Sequence, residues 1–420
     1  MELTATKMSP PFHLVAKYFI ASVCFFMLLC ALFAWSWQDI HGFYFQPHLL
    51  ALTHLATLGW MTMTIFGALF QLVPVVLEVP LWSPRLAEWQ FWIYLVGVLG
   101  LTSGFWTFDL GAYLDASAAL ILIAGYLFIW NMMQTMRFVK KWDLTSYFLS
   151  AGMFYFFFTI TLGTTLAFNL GHSFLIRSHL DYLKVHAHLG LIGWVLMIIM
   201  GVALRLIPMF SLSHGTSHRY AWLAFILVNV GLLGMVIERV IFADTKLTPF
   251  FAILAAAGVL AYLVQIFLIL RHRMRKALDV AMRHSIVSFS LIFAVVLIAV
   301  ALQRLPLSIQ MTERTTLLYG FLALFGGISS LIIGQMYKIV PFLVWLNRYA
   351  PLAGTQAVPT MKELVNVSIA RTELWLLGAS LALIAIGILT AIQPMIAVGG
   401  SLLFGASVLF GYNILQTFRR

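Results

Sequence analysis

The sequence predicts an all-α polytopic membrane protein with twelve transmembrane helices in three pseudo-symmetric groups of four. Three observations predict it. The 420 residues are 62% hydrophobic and only 9% charged, whereas a soluble domain carries about 25% charged residues. Twelve apolar runs follow one another, each long enough to cross the roughly 30 Å hydrocarbon core of a bilayer. One stretch, YLKVHAHLGLIGWVLMIIMGVALRLIPMF at 182–210, occurs three times in recognisable form.

In chain order the runs lie near 14–36, 48–76, 88–109, 113–135, 146–170, 184–210, 219–241, 248–270, 284–304, 315–345, 371–391 and 395–417. The first is preceded by polar residues and followed by no small-residue cleavage site, so it reads as a retained span and not a signal peptide. The second contains THLATLGWMTMTIFGALFQLVP at 53–74. There His54 matches His188, Gly59-Trp60 matches Gly193-Trp194, Gly67 matches Gly201 and Pro74 matches Pro208, at an offset of 134. The tenth contains a weaker copy, YGFLALFGGISSLIIGQMYKIVP at 319–341, with Gly326, Gly334 and Pro341 in register at an offset of 133 from the sixth. Tyr319 and Phe321 stand there in place of His186 and His188. A period this long is no solenoid; in a membrane it reads as an internally duplicated bundle. The expected repeats are 1–140, 141–278 and 279–420 of one integral membrane domain. The longest connection, 346–370, is too short for a soluble domain.

The formal net charge of +11 is not a nucleic-acid signal, because the basic residues sit in short loops between apolar runs. With both termini inside, 19 Lys and Arg fall on the inner side and six on the outer, a strong positive-inside bias. The expected location is the bacterial inner membrane, with both termini cytoplasmic. Cys24 and Cys30 share one apolar run, six residues apart, and read as small buried hydrophobes. Met63 and Met197 read as packing, and the repeated Gly and Trp as close helix contacts. Gln71, Arg205 and Lys338, each three before the repeat proline, read as interfacial side chains that snorkel. Glu238 and Arg239 are expected to pair with each other.

Seven of the twelve histidines cluster at the outer, periplasmic ends: His41, His48, His54, His172, His179, His186 and His188. The other five, His13, His214, His218, His272 and His284, read as surface residues of the inner side. Ionisable residues inside spans are costly and tend to be functional, and neutral imidazole is the commonest ligand for transition metals and heme iron. From His188 to Pro208 is about 30 Å of helix, so the histidines sit near one membrane face. Residues two apart on a helix diverge by about 200°, so His186 and His188 should serve opposite flanks of the sixth span. Their repeat equivalence makes His54 and His188 the expected pair of axial heme ligands. His186 is the expected ligand of a second heme or metal. His48, His172, His179 and His41 are candidate metal ligands, copper above all, since imidazole sites without thiolates suit copper, iron and zinc.

HAHLGLIGW at 186–194, followed by Gly201 and Leu206-Ile207-Pro208, resembles heme-copper oxidase subunit I, most closely the cbb-type branch. The resemblance implies twelve spans in three pseudo-symmetric groups. It also implies heme b, with His188 and His54 as low-spin heme ligands and His186 as a second-heme ligand. Here the motif lies in the sixth span and not the tenth, and the seventh span lacks the histidine pair of the oxidase copper site. The pattern is also similar to the NnrS family of oxidase-like membrane proteins, linked to heme, copper and tolerance of nitric oxide. The implied function is a heme-binding, or heme- and copper-binding, membrane protein in respiratory electron transfer or the nitric oxide and metal stress response. Its implied partners are the lipid bilayer, heme, copper ion, nitric oxide or oxygen, and a redox partner. Two alternatives stay open: a divergent terminal oxygen or nitric oxide reductase, an oxidoreductase, and a copper or heme transporter without catalysis.

Overall fold

The computed structural model describes residues 8–420. Twelve helical rods run up and down: α1 Phe12–Trp35, α2 Pro47–Val76, α3 Pro84–Thr107, α4 Ala112–Met136, α5 Leu144–His172, α6 His179–Ser211, α7 Arg219–Phe242, α8 Thr248–Arg271, α9 Val280–Arg304, α10 Ile309–Leu352, α11 Val367–Thr390 and α12 Gln393–Arg419. Eleven are long and apolar enough to cross a membrane. The other, α3, is 24 residues long but carries Arg85, Glu88 and Gln90 in its first turns. α1 answers two of these groups: Lys17 pairs with Glu88, and Tyr18 hydrogen-bonds Gln90 and the Ala87 carbonyl.

Local chemistry sets the rod ends. Ser83, Asp143, Asp279, Ser308 and Asn366 each accept an N–H from the first turn of the rod they precede, satisfying donors that a helix start leaves open. Prolines open α2, α3, α8 and α12, where a missing N–H costs nothing.

Packing recurs every four rods. α1 lies on α2, α5 on α6 and α9 on α10; α3 pairs with α4, α7 with α8 and α11 with α12. α4 meets α5, α8 meets α9, and α12 returns to α1, closing the bundle into a ring. The rods with the repeated motif, α2, α6 and α10, carry a shared irregularity. Each winds as an eight-residue π-helix, at Leu55–Thr62, Leu189–Leu196 and Leu322–Ser329, beginning just after His54, His188 and Phe321. Each then continues as α-helix through an internal proline, Pro74, Pro208 or Pro341. Long π segments are rare and frequent at functional sites.

Inside the ring, Trp194 Nε1 donates to Thr62 Oγ1 and Trp60 Nε1 donates to Ser329 Oγ, both at 3.0 Å. The third equivalent place holds Gly327 and Leu196, which cannot form such a bond; the Gly327 carbonyl instead accepts from Ser288 at 2.6 Å. Gly67, Gly201 and Gly334 let the neighbouring rod approach closely. A Cβ added to them would lie 2.9 Å from Tyr18 Cβ, 2.8 Å from Phe148 Cβ and 2.7 Å from His284 Cβ.

Gln71, Arg205 and Lys338 each have a polar partner. Gln71 donates to Ser9, Arg205 pairs with Asp143, and Lys338 pairs with Asp279. Each side chain thus ties its rod to the start of the rod before it. Glu238 and Arg239 do not pair with each other. Glu238 is buried and accepts from the Leu247 N–H and the Thr248 hydroxyl, while Arg239 lies 3.8 Å from Asp181. Met63 and Met197 are fully buried. Cys30 is buried and Cys24 is exposed.

Candidate functional site

His54 ends the first α-helical turns of α2, immediately before its π segment. Its Nδ1 lies 2.7 Å from the Leu50 carbonyl. A carbonyl only accepts, so Nδ1 carries the proton and Nε2 keeps its lone pair. His186 sits at the corresponding end of α6, with Nδ1 donating to the Thr159 carbonyl of α5 at 3.1 Å. His188 does the same with the Lys184 carbonyl at 2.7 Å. All three imidazoles are therefore held in the tautomer that leaves the Nε2 lone pair open, by the kind of hydrogen bond that also orients metal-binding histidines.

The structure brings His54 to His186 and not to His188. The two rings lie 18° from parallel with centroids 6.3 Å apart, and His54 also rests on Phe105 at 4.7 Å. Both line a small, partly open space of about 30 Å³ between α2, α3, α5 and α6, walled by Leu50, Phe105, Leu166, Ala167, Leu170 and Leu183. Gly163 of α5 makes room for the His186 ring, since a Cβ there would lie 2.7 Å from His186 Cε1. His188 is absent from this lining and has Arg239 of α7 in its surroundings. His186 and His188 thus lie against different neighbours, and the His54 ring packs against that of His186, not His188. Repeat alignment identifies equivalent positions. It does not determine which equivalent imidazole turns toward a shared space.

The remaining outer histidines separate. His179 lines the same space, but its Nδ1 meets Asn169 Nδ2 at 3.1 Å. Asn169 Oδ1 accepts the Leu175 N–H at 2.8 Å, which fixes the amide so that Nδ2 donates. His179 therefore carries its proton on Nε2 and enters the space as a donor, not as a ligand. His48 Nδ1 is 2.7 Å from Asp39 Oδ2, its ring 4.2 Å from Trp106. His172 Nε2 is 2.9 Å from Asp115 Oδ2. His41 is exposed on the α1–α2 loop. His48, His172 and His179 thus engage three separate partners, and among the described residues no group of three or more His, Cys, Asp or Glu could hold a metal ion.

His284, expected at the surface, is fully buried against fully buried Glu373, with Nε2 3.0 Å from Oε2. The expected ninth span began at His284, but α9 begins one turn earlier, at Val280, and that turn carries His284 into the bundle. The signal that points to it is Glu373, a carboxylate inside an apolar run.

No protein-family model matches this chain, and no curated protein matches it.

Proposed function

We propose that this chain is an integral membrane cytochrome that holds one heme between His54 and His186 and passes electrons through it. The observation that carries the reading is the His54–His186 pair. Two imidazoles on one iron, each with a metal–nitrogen bond of about 2.0–2.1 Å, place their ring centroids roughly 6 Å apart. The observed separation is 6.3 Å, and both Nδ1 protons are already committed to carbonyls. A bare copper ion is the second reading, and it is favoured by size, because a space of about 30 Å³ is far smaller than a macrocycle, so heme would require the surrounding rods to move apart. Ligand number favours heme. A porphyrin brings four equatorial nitrogens and asks the protein for two axial ligands. A bare ion asks for three or four, and His179 has no free nitrogen lone pair to offer.

The superfamily reading carries over with one change. A heme-copper oxidase-like or NnrS-like relationship is supported by the HAHLGLIGW motif, the three π-wound rods and the four-rod packing period. The low-spin ligand opposite His54 becomes His186. Electron transfer, or defence against nitric oxide and metal stress, fits a heme whose two axial positions are filled by protein. Reduction of oxygen or nitric oxide needs an open position on the metal, which this pair does not leave. Heme-bound iron would supply one-electron redox chemistry. The chain would supply axial nitrogens, an apolar wall and the His179 Nε2–H as a hydrogen-bond donor to a polar edge.

The test is the optical spectrum and the iron and copper content of protein purified in detergent. Wild type should show the sharp reduced bands of a bis-imidazole heme. His54→Ala and His186→Ala should each lose or convert the spectrum, and His188→Ala should retain it. Copper without heme in wild type would replace this reading with the second one. Neither metal would remove both.

A further inference from the structure

Far from the outer histidines, four rods converge on a second buried group. His284 of α9 and Glu373 of α11 are fully excluded from solvent, with Nε2 and Oε2 3.0 Å apart. Tyr337 of α10 lies with its ring centroid 6.1 Å from the His284 ring, and its hydroxyl faces Glu373 and Asn413 of α12. Asn413 also holds the loop before α11, accepting from the Asn366 N–H at 3.0 Å and donating to its carbonyl at 2.9 Å. The other polar atoms are close but misaligned. Both His284 nitrogens, both Glu373 oxygens and the Tyr337 hydroxyl make no properly directed hydrogen bond. Gly334 brings α10 against His284, since a Cβ there would meet His284 Cβ at 2.7 Å.

We propose that the His284–Glu373 pair is a proton-binding site that takes up and releases one proton inside the bundle. A carboxylate and an imidazolium, both buried and poorly hydrogen-bonded, would bear a large desolvation cost. The same pair with one proton and no net charge separation, a carboxylic acid beside a neutral imidazole, avoids it. Removing that proton leaves a single buried carboxylate, stabilised only by the imidazole and the Tyr337 hydroxyl. The balance is simple: one proton leaves the Glu373 carboxyl for water and no other bond changes. Intramembrane Glu and His chains serve as proton relays in pumps and transporters. The exchange route is short. His284 lies four residues from the start of α9 and Glu373 six from the start of α11, about 6–9 Å along the rods from the end of the bundle where α1 begins and α12 ends.

The groups on each surrounding rod leave the pair without a fixed counter-ion. On α9, Arg283 is exposed, and Asp279 is taken by Lys338 and Arg275. On α10, Lys338 is therefore already paired, and Gln335 donates to Ser285 at 2.9 Å. On α11, Arg371 is exposed. α12 offers Asn413 alone. The site is separate from the histidine pair of α2 and α6, so its fate does not depend on whether heme is bound.

Infrared difference spectroscopy on the full protein in detergent tests this, between about pH 5 and 8. Wild type should show one carbonyl-stretch band of a protonated carboxylic acid that shifts in D2O and disappears as pH rises. Glu373→Gln should lack it, and His284→Asn should change its frequency. Tyr337→Phe, which removes only a hydroxyl, should keep the band and change its frequency, and serves if the other two variants fail to fold. A wild-type protein with no titrating acid band overturns the proposal. So does stoichiometric zinc or copper that is lost from Glu373→Gln, which would make the pair a metal site.

Discussion

Gly163 sets where the His186 imidazole can lie. Any side chain at that position meets the ring, because the first added carbon already stands 2.7 Å from Cε1. Gly163→Val should push His186 off the Thr159 carbonyl and lower heme content by about tenfold or more, the usual scale for losing an outer-shell orienting contact. Gly405→Ala, where an added Cβ meets nothing within 4 Å, should leave heme content unchanged; equal losses in the two variants would mean general misfolding. At this scale the sequence was partly readable. His54, His186 and His188 stand out as intramembrane imidazoles, and their two-residue and repeat spacings are visible. What is not visible is the hydrogen-bond partner of each Nδ1, which decides the free nitrogen. For His179 it is an asparagine ten residues earlier, whose own amide is fixed by a loop N–H.

The rods that carry the site are tied at both levels by contacts between distant parts of the chain. Asp143 caps α5 and pairs with Arg205 of α6. Burial pushes its carboxyl up, but the Ser146 N–H and hydroxyl and the Arg205 guanidinium outweigh burial and hold it below the usual carboxylate range. A depressed folded value stabilises above the unfolded one, near 3.9, and that contribution is lost as pH falls through the lower folded value. Melting temperatures in detergent should therefore fall on acidification in wild type and fall less steeply in Asp143→Asn. Identical slopes would show that Asp143 carries none of the acid sensitivity. The Trp194–Thr62 bond should be worth about 0.6 kcal/mol, the average for side-chain hydrogen bonds between membrane helices. Trp194→Phe and Thr62→Val should each cost about that much, and the double variant no more than the Trp194→Phe variant plus packing loss. The alignment of Gln71, Arg205 and Lys338 is plain in sequence. Their partners are not, since each lies about 60 residues away on another rod. Likewise Gly-Trp and the repeat proline mark where the π segments fall, but nothing in the residue pattern announces the wider winding.

For the whole molecule, rod number and order follow directly from apolar runs, because lipid forces every spanning segment to satisfy its own backbone. The asymmetry of Lys and Arg predicts that reporter fusions in the 137–143 and 272–279 connections both report the cytoplasm; a periplasmic signal from either would invert the bundle. The contribution of the ring closure, α12 against α1, lies beyond any local pattern. Its inner ties have a mechanical consequence. α2 is bonded to α6 through Trp194 and to α10 through Trp60, while Leu196 and Gly327 leave the third side untied at that height. Nearer the rod ends, α6 and α10 do meet, where the Lys338 ammonium lies 5.4 Å above the Phe210 ring. α6 and α10 are thus linked near one end by the Lys338–Phe210 contact and, at the height of the tryptophans, by hydrogen bonds that run through α2. α2 is the shared post of the three, so Trp60→Phe together with Trp194→Phe would remove both of its indole ties and leave the Lys338–Phe210 contact in place.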